Sequence, residues 1–416
     1  MEKTKKRLID RIRIKEDNTV RTSDVVILSV CILLYMLTCV SGALNNVAQL
    51  SRYIILPLLI VFAYMSLKRI YFDTASIVLF LLAVTPSILF SDYFSSAVVK
   101  ASTVLLMFVA ASMFFYSRGI FGIKALYYAL LILSYVAVSL NFFAYITGQG
   151  RLGRYFRGYF GNRNALGAAL VMCIVILFAE FWRTKHIIPL AFTVITAVLI
   201  VSSESRGAFL GMIIGIVVFL LLAVKNKISF IFIALVSTTI VIIFWGSISQ
   251  LDIIQRLLKE GATRDDLWNF AMQVIDENYL VGVGFSSSQF TNTMAGNEGM
   301  NFHNSYIGMM ADVGIIGVLL LIAMFIHQFY RIYLNYKGID ENHRVYFLAL
   351  VALCASFFGL SFGEAYLIVA GSPFSFTFWC CMFCLLHCNN LGRANSFLTE
   401  KKKRTLKYNG DEVYET

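Results

Sequence analysis

The feature that most constrains this chain is a long succession of apolar runs, each cut off by a short polar or basic stretch. About 17–25 apolar residues is the length that crosses a bilayer as a helix. Twelve runs are read as spans: 24–44, 52–67, 74–90, 98–116, 124–146, 165–182, 187–202, 207–224, 228–246, 305–330, 345–362 and 366–388. The second and seventh are short enough to be tilted or partly re-entrant. Inside lipid the backbone has no water to bond, so each run must satisfy its own amides as a helix. The expected fold class is therefore all-α, a polytopic membrane protein of about 12 transmembrane helices. The charged fraction is only 14% and the mean hydropathy is +0.75, too apolar for a soluble core. Polar, basic residues precede the first run and no small-residue cleavage site follows it, so no cleavable signal peptide is expected.

An even number of spans puts both termini on one side. The ends, MEKTKKRLIDRIRIK and LTEKKKRTLK, are basic, which places them in the cytoplasm. The inner connections then hold Lys68 and Arg69, Arg118 and Lys124, Arg183 and Lys185, Lys225 and Lys227, and Arg331, Lys337 and Arg344. Basic charge in every predicted inner connection supports this orientation, and explains the formal charge of +11 without nucleic acid. The expected organisation is a basic cytoplasmic arm (1–23), nine spans (24–246), a long extracytoplasmic loop (247–304), three spans (305–388) and a basic cytoplasmic tail (389–416).

One outer segment breaks the pattern. GQGRLGRYFRGYFGNRN, residues 148–164, carries Arg151, Arg154, Arg157 and Arg163 and no acid. Guanidinium groups grip phosphate with paired bonds, so such a cluster points to anion recognition. The competing reading is snorkelling to anionic headgroups. Concentration of the charge in one loop favours recognition. Farther along, VSSESRGAFLG leaves only a tight turn between two apolar runs, so Arg206 lies at or below the interface. An arginine at membrane depth is costly and faces a cavity or a partner. Glu204 is one such partner and an anionic substrate is the other.

Within the long loop, LDIIQRLLK (251–259) and TRDDLWNFAMQVIDE (263–277) each place their apolar residues on one helical face. Thr263 suits an N-cap, whereas Arg264 opposes the helix dipole unless an anion sits between it and the helix amides. A solvated Arg264 paired with Asp265 or Asp266 explains the position equally well. The Gly-x-Gly of VGVGFSSSQF follows a helix, not a strand, and so reads as a turn. His186, His327, His343 and His387 lie near predicted cytoplasmic faces, which leaves His303 as the outer histidine. It is placed to orient or deprotonate a hydroxyl, or else to cap the helix that follows.

The eight cysteines lie in or beside apolar runs, which argues against a disulfide framework. Cys381, Cys384 and Cys388 beside His387 read as a packing face rather than metal ligands. No cofactor motif is found.

FRGYFGNRNALGAAL, SSESRGAFLG, RDDLWNFAMQVIDENYLVGVGFSSSQF and HNSYIGMMADVGIIG, in this order from Arg157 to Gly317, together resemble the O-antigen ligase and polymerase family of bacterial envelope glycosyltransferases. The resemblance implies inverting, metal-independent glycosyl transfer at the outer leaflet of the inner (plasma) membrane, with an undecaprenyl-diphosphate-linked oligosaccharide as donor. It implies His303, Arg206 and Arg264 as catalytic residues. It gives Arg154, Arg157, Arg163, Asn162 and Asn164 to the diphosphate and glycan. Partners on this reading are the lipid bilayer and a chain-length regulator and flippase of the same pathway. The favoured activity is polymerisation of repeat units. The alternatives are an O-antigen ligase that uses lipid A-core as acceptor, a transporter or flippase of anionic glycolipid, and a non-catalytic scaffold. Few charges inside the spans and no repeat between the halves weigh against transport.

Overall fold

The computed structural model describes residues 21–40, 43–67, 70–153, 155–226, 265–291 and 302–389, with isolated positions between 228 and 255. Predicted span 228–246 and loop helix 251–259 lie outside the described residues apart from those positions, as do Thr263, Arg154 and Arg264.

The described part is an all-α polytopic membrane protein. Its helices are α1 (Thr22–Met36), α2 (Ala43–Leu67), α3 (Thr74–Leu89), α4 (Phe94–Arg118), α5 (Ile120–Ile146), α6 (Arg163–Thr184), α7 (Ile187–Ser203), α8 (Arg206–Ala223), α9 (Asp265–Glu277), α10 (Ser288–Thr291), α11 (Ser305–Lys337), α12 (Glu341–Leu360) and α13 (Pro373–His387). Eleven of the twelve predicted runs coincide with one of these, and seven helices are long and apolar enough to cross a membrane.

Three boundaries differ from the hydropathy reading. The first run stops as a helix at Met36 and ends in a 3-10 turn, Leu37–Cys39, because Val40 is extended and bridges to Phe160. The second begins earlier than residue 52, at Ala43; the polar residues Asn45, Asn46 and Gln49 had ended the apolar window. The last begins as a helix only at Pro373. Residues 366–372 are apolar but irregular, and Ser372 caps α13 by accepting from the Ser375 amide.

Helix α6 is the centre of the bundle, its apolar window 83% buried. One side of it meets α8, which also lies flat on α12. The reason is a stripe of small residues, Gly207, Gly211 and Gly215, one per turn. A Cβ on Gly211 would lie 2.9 Å from Leu360 Cγ, and one on Gly207 3.3 Å from the Leu360 carbonyl. Without side chains there, backbones approach closely, which is how helices gain packing energy in lipid. Helix α13 is buried along its length and stacks Trp379 against Phe325 and Phe108.

Helix α11 breaks at Gly314, whose φ of 61° and ψ of −175° are non-helical. The backbone groups freed by the break bond to the segment after α9. Ile315 N donates to Tyr279 O at 2.9 Å, Val283 N to Ala311 O at 3.0 Å and Gly284 N to Asp312 O at 3.0 Å. The turn-rich VGVGF stretch is thus a clip on the kink. A Cβ on Gly314 would sit 2.5 Å from the Leu280 carbonyl carbon, so only glycine fits both the angle and the approach.

The helices alternate in direction. Among the described residues, six connections gather at one end of the bundle: the turn after α1, residues 90–93, the arginine loop, the α7–α8 turn, the segment after α9 and the segment 361–372. Close contacts tie them, including Ser91 Oγ donating to Val283 O and Ser305 N to Ser361 O. Buried ion pairs such as Asp24–Arg118 and Glu180–Arg183 lie at the opposite end.

Candidate active site

The arginine loop is a folded platform. Its short antiparallel strands, Arg151–Leu152 and Tyr155–Phe156, pair Arg151 with Phe156. Phe156 and Phe160 are buried beneath it. Gly161 N donates to Cys39 O at 2.8 Å, and Asn141 Oδ1 accepts from Tyr159 N at 3.3 Å. Arg151 and Arg157 are therefore displayed on a surface pinned to α5 and to the turn after α1. Arg157 Nη1 donates to Gly161 O at 3.3 Å, which lays its guanidinium along the last turn before α6.

Helix α6 then begins inside the candidate site. Asn162 is its N-cap, its Oδ1 accepting from Ala165 N at 2.7 Å. Arg163 lies over the Tyr155 ring, 4.5 Å from its centroid, and its Nη1 is 3.7 Å from Glu204 Oε2. Glu204 is the left-handed residue, φ 51°, that closes α7. Two residues later Arg206 opens α8. A Cβ built on Gly207 would lie 3.7 Å from Gly363 Cα, so Arg206 and Glu364 flank a backbone-to-backbone contact.

Glu364 is a candidate site residue that the sequence reading missed. Its Oε2 lies 2.9 Å from His303 Nδ1, and its Oε1 accepts from Asn164 Nδ2. An ionised carboxylate only accepts, so against it Nδ1 is the donor, and in the neutral ring Nε2 then carries the lone pair. Glu364 is held in turn by its own backbone: its carbonyl accepts from Ser305 Oγ at 3.1 Å. Ser305 Oγ also accepts from Tyr366 N at 2.9 Å.

His303 is set by its neighbours. Its φ is 48°, a conformation uncommon for a non-glycine residue. On one side Phe302 is 1% exposed and its carbonyl accepts from the Trp268 indole at 3.1 Å. On the other, Asn304 caps α11 by accepting from Tyr306 N and Ile307 N, and donates to Phe362 O. Capping therefore falls to Asn304, and the His303 ring goes to Glu364. Helix α9 places Trp268. Its apolar face, Leu267, Ala271, Val274 and Ile275 with Phe270 beside them, packs on Phe302 and Ala311 as the periodicity predicted.

The sequence-predicted set thus divides. Asn164 and His303 converge on Glu364, and Arg206 opens α8 beside the Gly207–Gly363 backbone contact. Arg163 joins them through Glu204, while Asn162 is engaged as a cap. Arg157 sits on the platform beside them. Three long helices, α6, α8 and α11, point their N-termini at this end, and their dipoles add positive potential. The arrangement can bind an anion and take a proton from a nearby hydroxyl.

Comparison with known proteins fits this geometry. Residues 191–322, the stretch that holds Arg206, α9 and His303, match the family profile described as O-antigen ligase. That stretch is similar to the O-antigen ligase family. A Rickettsia typhi protein provisionally named a polysaccharide ligase is 26% identical over 47% of this chain and 53% of its own length. A second, from Rickettsia felis and named likewise, is 27% identical over the same shares. The chain spans about half the length of the curated relatives it matches. The resemblance read from the motifs and the profile match point to the same family. The O-antigen ligase match stops short of Asn164 and Glu364, which the fold brings to it from either side.

Proposed function

We propose that the chain is a membrane glycosyltransferase that polymerises polyprenyl-diphosphate-linked oligosaccharide units into surface polysaccharide. The observation that carries the reading is the Asn164–Glu364–His303 chain beside the start of α8, which joins residues from four separate parts of the sequence. His303 Nε2 takes the proton of an acceptor hydroxyl while Glu364 holds Nδ1. The acceptor oxygen attacks the anomeric carbon from the face opposite the diphosphate, and that carbon–oxygen bond breaks with its electron pair leaving on phosphate. The configuration at carbon inverts. The leaving diphosphate is a weak base and needs charge compensation more than a proton. Arg206 and the platform arginines supply it, each such donor being worth roughly 10²–10³ in rate. Arg163, preset by Tyr155 and Glu204, loses little freedom on binding.

On this reading the arginine end faces outward from the inner membrane and both termini are cytoplasmic. Reporter fusions after Gly150 and at the C-terminus test that placement: an inward Gly150 removes the donor from the site.

The names of the Rickettsia relatives favour a second reading, a ligase that moves the finished glycan to a lipid acceptor. Cells lacking the gene separate the two. Loss of a polymerase leaves single repeat units on the final acceptor. Loss of a ligase leaves none there, and carrier-linked chains accumulate.

A further inference from the structure

A cavity of about 70 Å³ lies between the start of α11, the segment around α10 and residues 365–369. Phe302 and Asn304, the neighbours of His303, line it, and so does Ala365, the neighbour of Glu364. Glu364 itself bonds Asn164 of α6. The His303–Glu364 pair thus stands between the start of α6 and this cavity.

The chemistry of the cavity differs from that of the arginine platform. Among the described residues that line it, Asp312 is the charged one, and Ser286 and Ser288 bring hydroxyl groups. Asp312 is half-buried, and its Oδ1 accepts from Ser288 N at 2.8 Å. A carboxylate has about four acceptor sites, so it keeps capacity for a further hydroxyl. Ser286 is held in the left-handed region, φ 55°. Lys100 Nζ donates to its carbonyl, and the next amide, Ser287 N, donates to Gly284 O at 2.9 Å. Non-glycine residues held in that conformation gather at binding and catalytic sites, and His303 beside the same cavity is another.

We propose that this cavity takes adjacent hydroxyl groups of the acceptor's terminal sugar, and so decides which hydroxyl of that sugar stands at His303. The inference rests on the glycosyl-transfer reading above. Three observations select the occupant. The volume is that of about two waters at roughly 30 Å³ each, which fits one hydroxylated edge of a sugar and not a whole repeat unit. A carboxylate accepts hydroxyl protons and repels a diphosphate, so the donor's anion is left to the arginines. Lys100 already attracts Asp312, which disfavours a metal cation there. A sugar edge seated between Asp312 and Ser286 cannot rotate freely. Linkage position then follows from geometry rather than from the relative reactivity of the sugar's hydroxyls.

The test uses full-length protein in nanodiscs. The probe is the free oligosaccharide repeat unit released from the strain's own polysaccharide, without lipid or phosphate. Saturation-transfer NMR should show contact at its terminal sugar. Asp312→Asn, which can still accept from Ser288 N, should weaken binding about tenfold or more. Ser286→Gly, which keeps the backbone angle and loses the hydroxyl, should weaken it several-fold. Both variants should melt near wild type. Inorganic diphosphate and calcium should not compete. In turnover, methylation analysis of the product should show mixed linkage positions in both variants and a single one in wild type. Absence of contact, binding unchanged in both variants, or displacement by diphosphate or calcium overturns the assignment. Binding that both folded variants weaken, in a protein that transfers no sugar, leaves the cavity standing and overturns the catalytic reading instead.

Discussion

Nδ1 of His303 lies 2.9 Å from Oε2 of Glu364, although the two residues are 61 positions apart in sequence. The contact fixes which imidazole nitrogen can accept a proton. Glu364→Gln keeps the size and can keep a hydrogen bond, but removes the charge that stabilises the imidazolium. The expected outcome is a fall in kcat of roughly 10²–10⁴ with KM for the donor little changed. Steady-state kinetics of purified protein check it, and an unchanged kcat removes Glu364 from the mechanism.

Arg206 tests the charge argument. Arg206→Ala should reduce kcat/KM by roughly 10²-fold or more. Arg206→Lys should recover little of that loss, because an ammonium cannot reproduce the two-pronged fork on a diphosphate. Full rescue by lysine would mean that only the sign of the charge matters.

Asn162 separates capping from binding. Its side chain is engaged with the Ala165 amide, so Asn162→Ala should lower stability by about 1 kcal/mol. Asn162→Ser or Asn162→Asp should restore it, since both cap well. Thermal melting in detergent reads this directly. A variant with native melting and no activity would return Asn162 to the substrate contacts expected from the sequence.

Gly314 tests the clip. Gly314→Ala places a methyl against the Leu280 backbone at a left-handed φ, at a cost of roughly 1–3 kcal/mol. The segment after α9 should loosen and with it the Trp268–Phe302 contact that leads to His303. Limited proteolysis should show faster cleavage between 278 and 291, together with reduced activity.

Most of the bundle was legible because lipid forces one solution on an apolar run. The exceptions are instructive. AYLIVAGS, 365–372, is as apolar as a span yet is not helical, because side chains take over the work of its backbone. Val369 N donates to Ser375 Oγ, and Leu367 O accepts from Ser375 Oγ and the Trp379 indole. Irregular backbone survives at such depth only when buried in protein, and hydropathy does not register that burial. His303, Arg206 and the arginine loop stood out by residue type and place. Glu364 did not, because its meaning lies in contacts to Asn164 and His303 from distant segments. The one available signal was an acid between two apolar runs at the predicted outer side. Asn162 and Asn164 look alike in GNRN, and only the turn of α6 sends one to a cap and the other to Glu364.

The most direct measurement is a single turnover of purified protein with a polyprenyl-diphosphate-linked oligosaccharide of defined anomeric configuration. The account predicts a longer glycan with the new linkage inverted, one polyprenyl diphosphate released per bond formed, and loss of both in His303→Ala. Retention of configuration, or turnover in His303→Ala equal to wild type, would contradict it.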